Sequence, residues 1–203
     1  MISISFLIPL ALLICYTYAN PTLNNTVYII SQAETPSLGI DGLTPVGLRR
    51  AQHCIPNVFN GLGIGLIISC TPDPDTGACF AAVATVTPLA QSLNLTVDTS
   101  CTTGDHAEDD CASNLIASFT QNSTAAILAV WDAGDEDTFV DNLTSNFDGI
   151  DIPDQKDDDG VFHHDVFTIV RTGASIRRLS QNCSGIDGKA LGTGRLPGEA
   201  CDT

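Results

Sequence analysis

Two carboxylates stand at the ends of apolar runs. Glu34 follows the run Thr26 to Ile30, and Asp132 follows Ala125 to Trp131. With His163 or His164 they form the only set from which an unconventional acid–base site could be assembled. Adjacent residues on a strand face opposite ways, so one of the two histidines would turn inward. The plainer reading of that pair is a solvated turn or strand edge. His53 reads as a helix-surface residue, and His106 as part of an exposed polar loop. Asp73, Asp75, Asp154 and Asp157-Asp158-Asp159 supply oxygen ligands, but without EF-hand spacing a solvated acidic loop explains the run better. The Cys70–Cys79 and Cys101–Cys111 spacings are too wide for paired zinc ligands. The chain has no Gly-x-Ser-x-Gly elbow, Walker motif or dinucleotide fingerprint. Neither a metal nor a cofactor is expected.

Strands and helices must alternate to position these residues. Thr26 to Ile30 reads as a buried parallel strand. Thr44-Pro45 is a cap followed by a first-turn proline, and it opens a helix whose body is Leu48 to Phe59. Pro56 conflicts with an unbroken last turn. Leu66 to Ser69 is a second strand. Phe80 to Leu93 is a second helix carrying Pro88 in its middle. Thr96 to Asp98 is a short strand, and Cys111 to Phe119 a helix. Ala125 to Trp131 is a central strand, and Asp135 to Leu143 a helix. Residues 148–160 form an acidic loop. Phe162 to Val170 and Ala174 to Ser180 are two late strands. The pattern predicts an α/β fold, a three-layer sandwich around a mostly parallel sheet.

The chain carries 24 acidic and 8 basic residues, a formal net charge of -16. Nucleic acid is excluded as a partner, because phosphate contacts need Lys and Arg. The same field repels a free phosphorylated substrate. The apolar run Ile2 to Ile14 and the small residues Thr17-Tyr18-Ala19 read as a secretory leader over residues 1–19. That run is too short and interrupted for a stable membrane anchor. A single domain over 20–187 and a Gly-rich tail over 188–203 follow. Secretion to the extracellular space favours disulfides. Beyond Cys15 the cysteines are odd in number, which leaves at least one thiol over. Cys101–Cys111 is the leading pair and Cys70–Cys79 the second, while Cys54, Cys183 and Cys201 compete for a third bond. Asn24, Asn94, Asn122, Asn142 and Asn182 are glycosylation candidates in Asn-x-Ser/Thr sequons.

Several blocks in order carry a resemblance. They are Val27-Tyr28-Ile29-Ile30-Ser31-Gln32-Ala33-Glu34, Gly42-Leu43-Thr44-Pro45-Val46-Gly47-Leu48-Arg49-Arg50-Ala51-Gln52, Pro88 to Cys101, and Ile127 to Ala133. From about residue 26 to about residue 187 the chain resembles the histidine phosphatase superfamily, the phosphoglycerate-mutase-like fold. It looks closest to a fungal secreted branch. The resemblance implies a phosphate pocket built from a nucleophilic His, two Arg and a second His. Here Gln32 stands at the nucleophile's position, Ser31 at the first Arg, Ala81 at the second Arg and Ala133 at the second His. Only Glu34 of the first motif survives, and Asp132 adds further negative charge. A glutamine amide is neither a nucleophile nor a proton shuttle. Phosphoryl transfer also requires charge stabilisation that these residues do not supply.

Two readings follow. In the first, the chain is a secreted, catalytically inactive relative that binds an extracellular ligand or protein through a pocket remodelled for a neutral or cationic group. In the second, it is an extracellular acid-type phosphatase or other hydrolase using a non-standard site around Glu34 and Asp132.

Overall fold

The computed structural model describes residues 21–36, 42–104, 110–152, 164–173 and 176–187. Six strands form one sheet in the order β3-β2-β4-β1-β5-β6. They are β1 (Val27–Ser31), β2 (Ile64–Cys70), β3 (Val97–Cys101), β4 (Ala126–Trp131), β5 (Val166–Val170) and β6 (Arg177–Ser180). β1 to β4 run parallel, and β5 and β6 add antiparallel at one edge. All six residues of β4 are buried. That matches their continuous apolar sequence and their place in the middle of the sheet.

Alternation along the strands decides which helix covers which face. Tyr28 pairs in register with Leu128, so Trp131, three residues further on, lies on the opposite face. The Tyr28 side packs against Phe59 and Phe167, with ring centroids 5.8 and 6.2 Å away. Phe59 ends the first helical rod, which packs beside α3 (Phe80–Leu93). Trp131 stacks on Phe139 of α5 (Glu136–Asn146) at 4.6 Å and 22°, and α5 packs beside α4 (Cys111–Thr120). The result is a three-layer α/β sandwich. The connection after β1 covers one face and the connection after β4 covers the other. The seam between these neighbouring strands is therefore a topological switch point, where open α/β sheets place ligands.

The first rod departs from the sequence reading in one respect. It runs as α1 (Pro45–Arg49), a π-helical turn (Arg50–Cys54) and α2 (Ile55–Phe59). Thr44 caps it, its hydroxyl accepting from the Gly47 N–H at 3.0 Å. The wide turn lets Ile55 N–H reach back to Arg50 O, and Pro56 then sits in the first turn of α2, where its missing N–H costs nothing. The conflict raised by Pro56 is thus resolved by a π turn, not by a broken end. Pro88 is carried inside α3, which continues to Leu93 and stops at Asn94 in the left-handed region, φ 54°.

The late strands are shorter than expected. β5 starts at Val166, after a turn that includes His164 and Asp165, and β6 starts at Arg177. Three disulfides tie the structure: Cys101–Cys111, Cys70–Cys79 and Cys54–Cys183. The third resolves the open competition for Cys54. It joins the π turn to the segment after β6 across 129 residues of sequence. Cys201, the acidic run at 154–159, His106 and His163 lie outside the described residues. Among the described residues no helix is long and apolar enough to cross a membrane.

Candidate functional site

The seam between β1 and β4 brings Ser31, Gln32 and Ala133 together. Ser31 is paired in register with Trp131, and Gln32 donates its backbone N–H to Trp131 O at 3.1 Å. The Gln32 side chain turns across the seam, and its Oε1 accepts from the Ala133 backbone N–H. The next residue, Ala33, donates its N–H to Thr85 Oγ1 at 2.8 Å, and that hydroxyl donates to Ala81 O at 2.7 Å. Thr85 thus links the first strand's exit to the start of α3, where Ala81 sits. His164 is buried against the same corner, its Nδ1 in hydrogen-bond contact with Gln32 O.

Asp132 fills the neighbouring space. Its Oδ2 accepts from the Cys79 N–H at 3.1 Å, just before α3, and its Oδ1 accepts from the Gly134 N–H at 2.9 Å. Backbone N–H groups at a helix start are the usual donors for an anion. Here Cys79 and Gly134 donate to Asp132, and Ala133 donates to Gln32. The protein's own oxygens therefore occupy these donors. Asp132 is thus held by two backbone donors. Ser31 Oγ is buried and makes no hydrogen bond among the described residues.

Glu34 also differs from its sequence reading. The backbone places it first. Thr44 N–H donates to Glu34 O at 2.9 Å, and Gly47 passes so close that a Cβ there would lie 2.4 Å from that oxygen. The carboxylate then meets Arg50, which binds it through Nη2 at 2.7 Å and Nε at 3.1 and 3.2 Å. Both residues are buried. Arg50 Nη1 continues to Gln181 Oε1 at 3.0 Å and to Asp187 Oδ1 at 2.8 Å. Glu34 is therefore not a lone charge. Sequence reasoning missed Arg50 as its partner, since Arg50 looked like one more residue of a helix body.

The electrostatics follow from this pairing. Burial pushes the Glu34 carboxyl up, but the Arg50 hydrogen bonds and charge outweigh it and hold the group below the usual glutamate range. Burial likewise works against the Arg50 charge, and Glu34 and Asp187 more than restore it. A carboxylate held ionised by a buried guanidinium is a poor general acid, and a guanidinium bound to two carboxylates has little left for an incoming anion. The Cys54–Cys183 bridge closes over this network, with Arg50 Nη1 3.0 Å from Cys183 Sγ.

The remaining candidates lie elsewhere. His53 is exposed on the π turn and lines a surface recess beside that disulfide. Asp73 organises its own loop, accepting from Asp75 N–H and from Thr76 Oγ1, both at 2.8 Å. Among the described residues no three His, Cys, Asp or Glu side chains gather as a metal site. Asn24, Asn94, Asn122 and Asn182 are exposed, whereas Asn142 is half-buried on α5 and accepts from the Ser113 N–H at 3.3 Å.

The sequence matches no family model and no curated protein. Among solved structures, a mycobacterial glucosyl-3-phosphoglycerate phosphatase with inorganic phosphate is similar at 14% identity and TM-score 0.49, over 77% of this chain and 95% of that one. A protein assigned as the phosphohistidine phosphatase SixA, from Agrobacterium tumefaciens, is similar at 16% identity and TM-score 0.46, over 79% of this chain and 96% of that one. A phosphoserine phosphatase variant from Entamoeba histolytica, in complex with phosphoserine, is similar at 13% identity and TM-score 0.45, over 77% and 95%.

Proposed function

We propose that this chain is a secreted, catalytically inactive phosphoglycerate-mutase-like protein that binds a ligand or partner outside the cell. The observation that carries the reading is the closure of Gln32 onto the Ala133 N–H. The position that would hold a nucleophile in the related enzymes holds an amide, and that amide occupies a donor an incoming phosphoryl oxygen would need. Asp132 occupies the Cys79 and Gly134 donors in the same way. Phosphoryl transfer rests on preorganised positive charge around the transferred group. In this corner the guanidinium of Arg50 is bound by Glu34 and Asp187. Residues 20–187 act as one domain in this account, following a leader over 1–19.

The second reading, a hydrolase working through Glu34 and Asp132, is disfavoured by the partners these two carboxylates already have. Phosphate binding and phosphoenzyme trapping separate the two readings. Calorimetric titration with inorganic phosphate is expected to give no saturable heat, and incubation with a reactive phosphodonor no phosphorylated residue 32. Saturable phosphate binding that is lost on Asp132→Ala would support the hydrolase instead.

A further inference from the structure

The recess beside the Cys54–Cys183 bridge has a volume of about 280 Å3. That is close to the lower end of small-ligand pockets, about 300 Å3. Its floor is a small apolar cluster apart from the main core: the bridge and Ile186, with Val58 packed against them. One wall is the face of the first rod that carries Arg49, His53 and Asn57, spaced every four residues. The other wall is the segment leaving β6, and it includes Asn182. An apolar floor under a rim of hydrogen-bonding groups fits a pyranose ring, which has a C–H face and a polar edge.

Asn182 also opens the sequon Asn182-Cys183-Ser184. It is exposed and stands in the left-handed region, φ 53°, its N–H donating to Ser180 Oγ at 3.0 Å. Its side-chain amide, like the side chains of Arg49, His53 and Asn57, makes no hydrogen bond or ion pair with a described residue. The attachment atom and the donors that face the recess with it are therefore all unengaged. We propose that this recess is the seat of the chain's own carbohydrate, the first N-acetylhexosamine of an N-glycan on Asn182. In the attachment step, Asn182 Nδ2 bonds to the anomeric carbon of a lipid-pyrophosphate-linked oligosaccharide and loses one proton, and the lipid pyrophosphate leaves. The ring then lies over Val58, Ile186 and the bridge, while Arg49, His53 and Asn57 donate to its hydroxyl and acetyl oxygens. The sugar is neutral, so the field of a chain with net charge -16 does not oppose it. Cys183 is the middle residue of the sequon and is held in the bridge, so the sugar is attached first and the seat forms as the bridge closes. The proposal rests on the secretory reading, which brings the chain to the transferase.

The full chain is expressed through a eukaryotic secretory route and treated, while folded, with a glycoamidase that cleaves the Asn–sugar bond. Asn94 is the matched comparison, since it too is exposed and left-handed, φ 54°, but does not line this recess. Timed glycopeptide mapping is expected to show release at Asn182 about tenfold slower than at Asn94, as for a sugar that leaves its seat about a tenth of the time. After reduction and denaturation the two rates should agree. The double variant Arg49→Ala with Asn57→Ala should bring release from the folded chain at Asn182 up to the Asn94 rate. Equal release at the two sites in the unmodified fold, or unchanged protection in the folded double variant, would each overturn the proposal. A chain secreted with sugar at Asn94 and none at Asn182 would overturn it alone. A chain retained in the cell with no sugar at any sequon would overturn the secretory reading on which it rests.

Discussion

Glu34 and Arg50 form a buried, doubly contacted ion pair, with Nη2 2.7 Å from Oε1 and Nε within 3.2 Å of both carboxylate oxygens. This pair stands directly behind the Gln32 corner and ties three parts of the chain together. Glu34 leaves β1, Arg50 lies on the π turn, and Asp187 and Gln181 follow β6. Glu34 is thereby a structural element of the fold.

Removing one partner should therefore be costly. Arg50→Met leaves Glu34 charged and buried, and should destabilise the fold by about 3–5 kcal/mol. The double variant Arg50→Met with Glu34→Leu should recover a large part of that loss, since both charges are then gone. Chemical denaturation of the three proteins measures this. An Arg50→Met protein as stable as the unmodified chain would show that the pair carries little.

Acid should act through the same pair. The folded state holds the Glu34 pKa below its value in the unfolded chain. Its contribution is then complete above the unfolded value, near 4.5, and is lost as pH falls through the lower folded value. Urea midpoints measured downward from pH 6 should fall more steeply for the unmodified chain than for Glu34→Gln. Parallel curves for the two proteins would contradict the assignment.

The layout of the fold was legible because its signals are local. Thr44-Pro45 opened the first helix, and the six apolar residues of β4 marked the central strand. The seam positions could be placed because Gln32 and Ala133 each follow a parallel strand. The partners were not legible. Arg50 follows Arg49 on the rod, and nothing in the local sequence says which of the two is buried until Glu34 and Asp187 are brought to Arg50 from 16 and 137 positions away. The role of Thr85 and the Cys79 partner of Asp132 were hidden for the same reason, since these hydrogen bonds span 52 and 53 residues. The Cys54–Cys183 bond needed the fold to bring its ends together, whereas the short Cys70–Cys79 and Cys101–Cys111 loops did not.

The five sequons should not be equivalent. Asn142 is half-buried on α5, with its amide oxygen fixed on the Ser113 N–H of α4, so its Nδ2 offers a glycan less room than an exposed sequon does. Expressed through a eukaryotic secretory route, the chain should carry its lowest occupancy at Asn142 and higher occupancy at the exposed Asn94 and Asn122. Glycopeptide mapping decides this, and near-complete modification of Asn142 would contradict the packing described for α5.

The central claim is that the seam cannot transfer a phosphoryl group. Hydrolysis of p-nitrophenyl phosphate by the purified chain, measured from acidic to neutral pH, tests it most directly. The account predicts a rate at the blank for the unmodified protein. It predicts little recovery for Gln32→His, because Ser31, Ala81 and Ala133 still leave the developing charge unsupported. A robust rate in the unmodified chain, abolished by Glu34→Gln or Asp132→Ala, would contradict it.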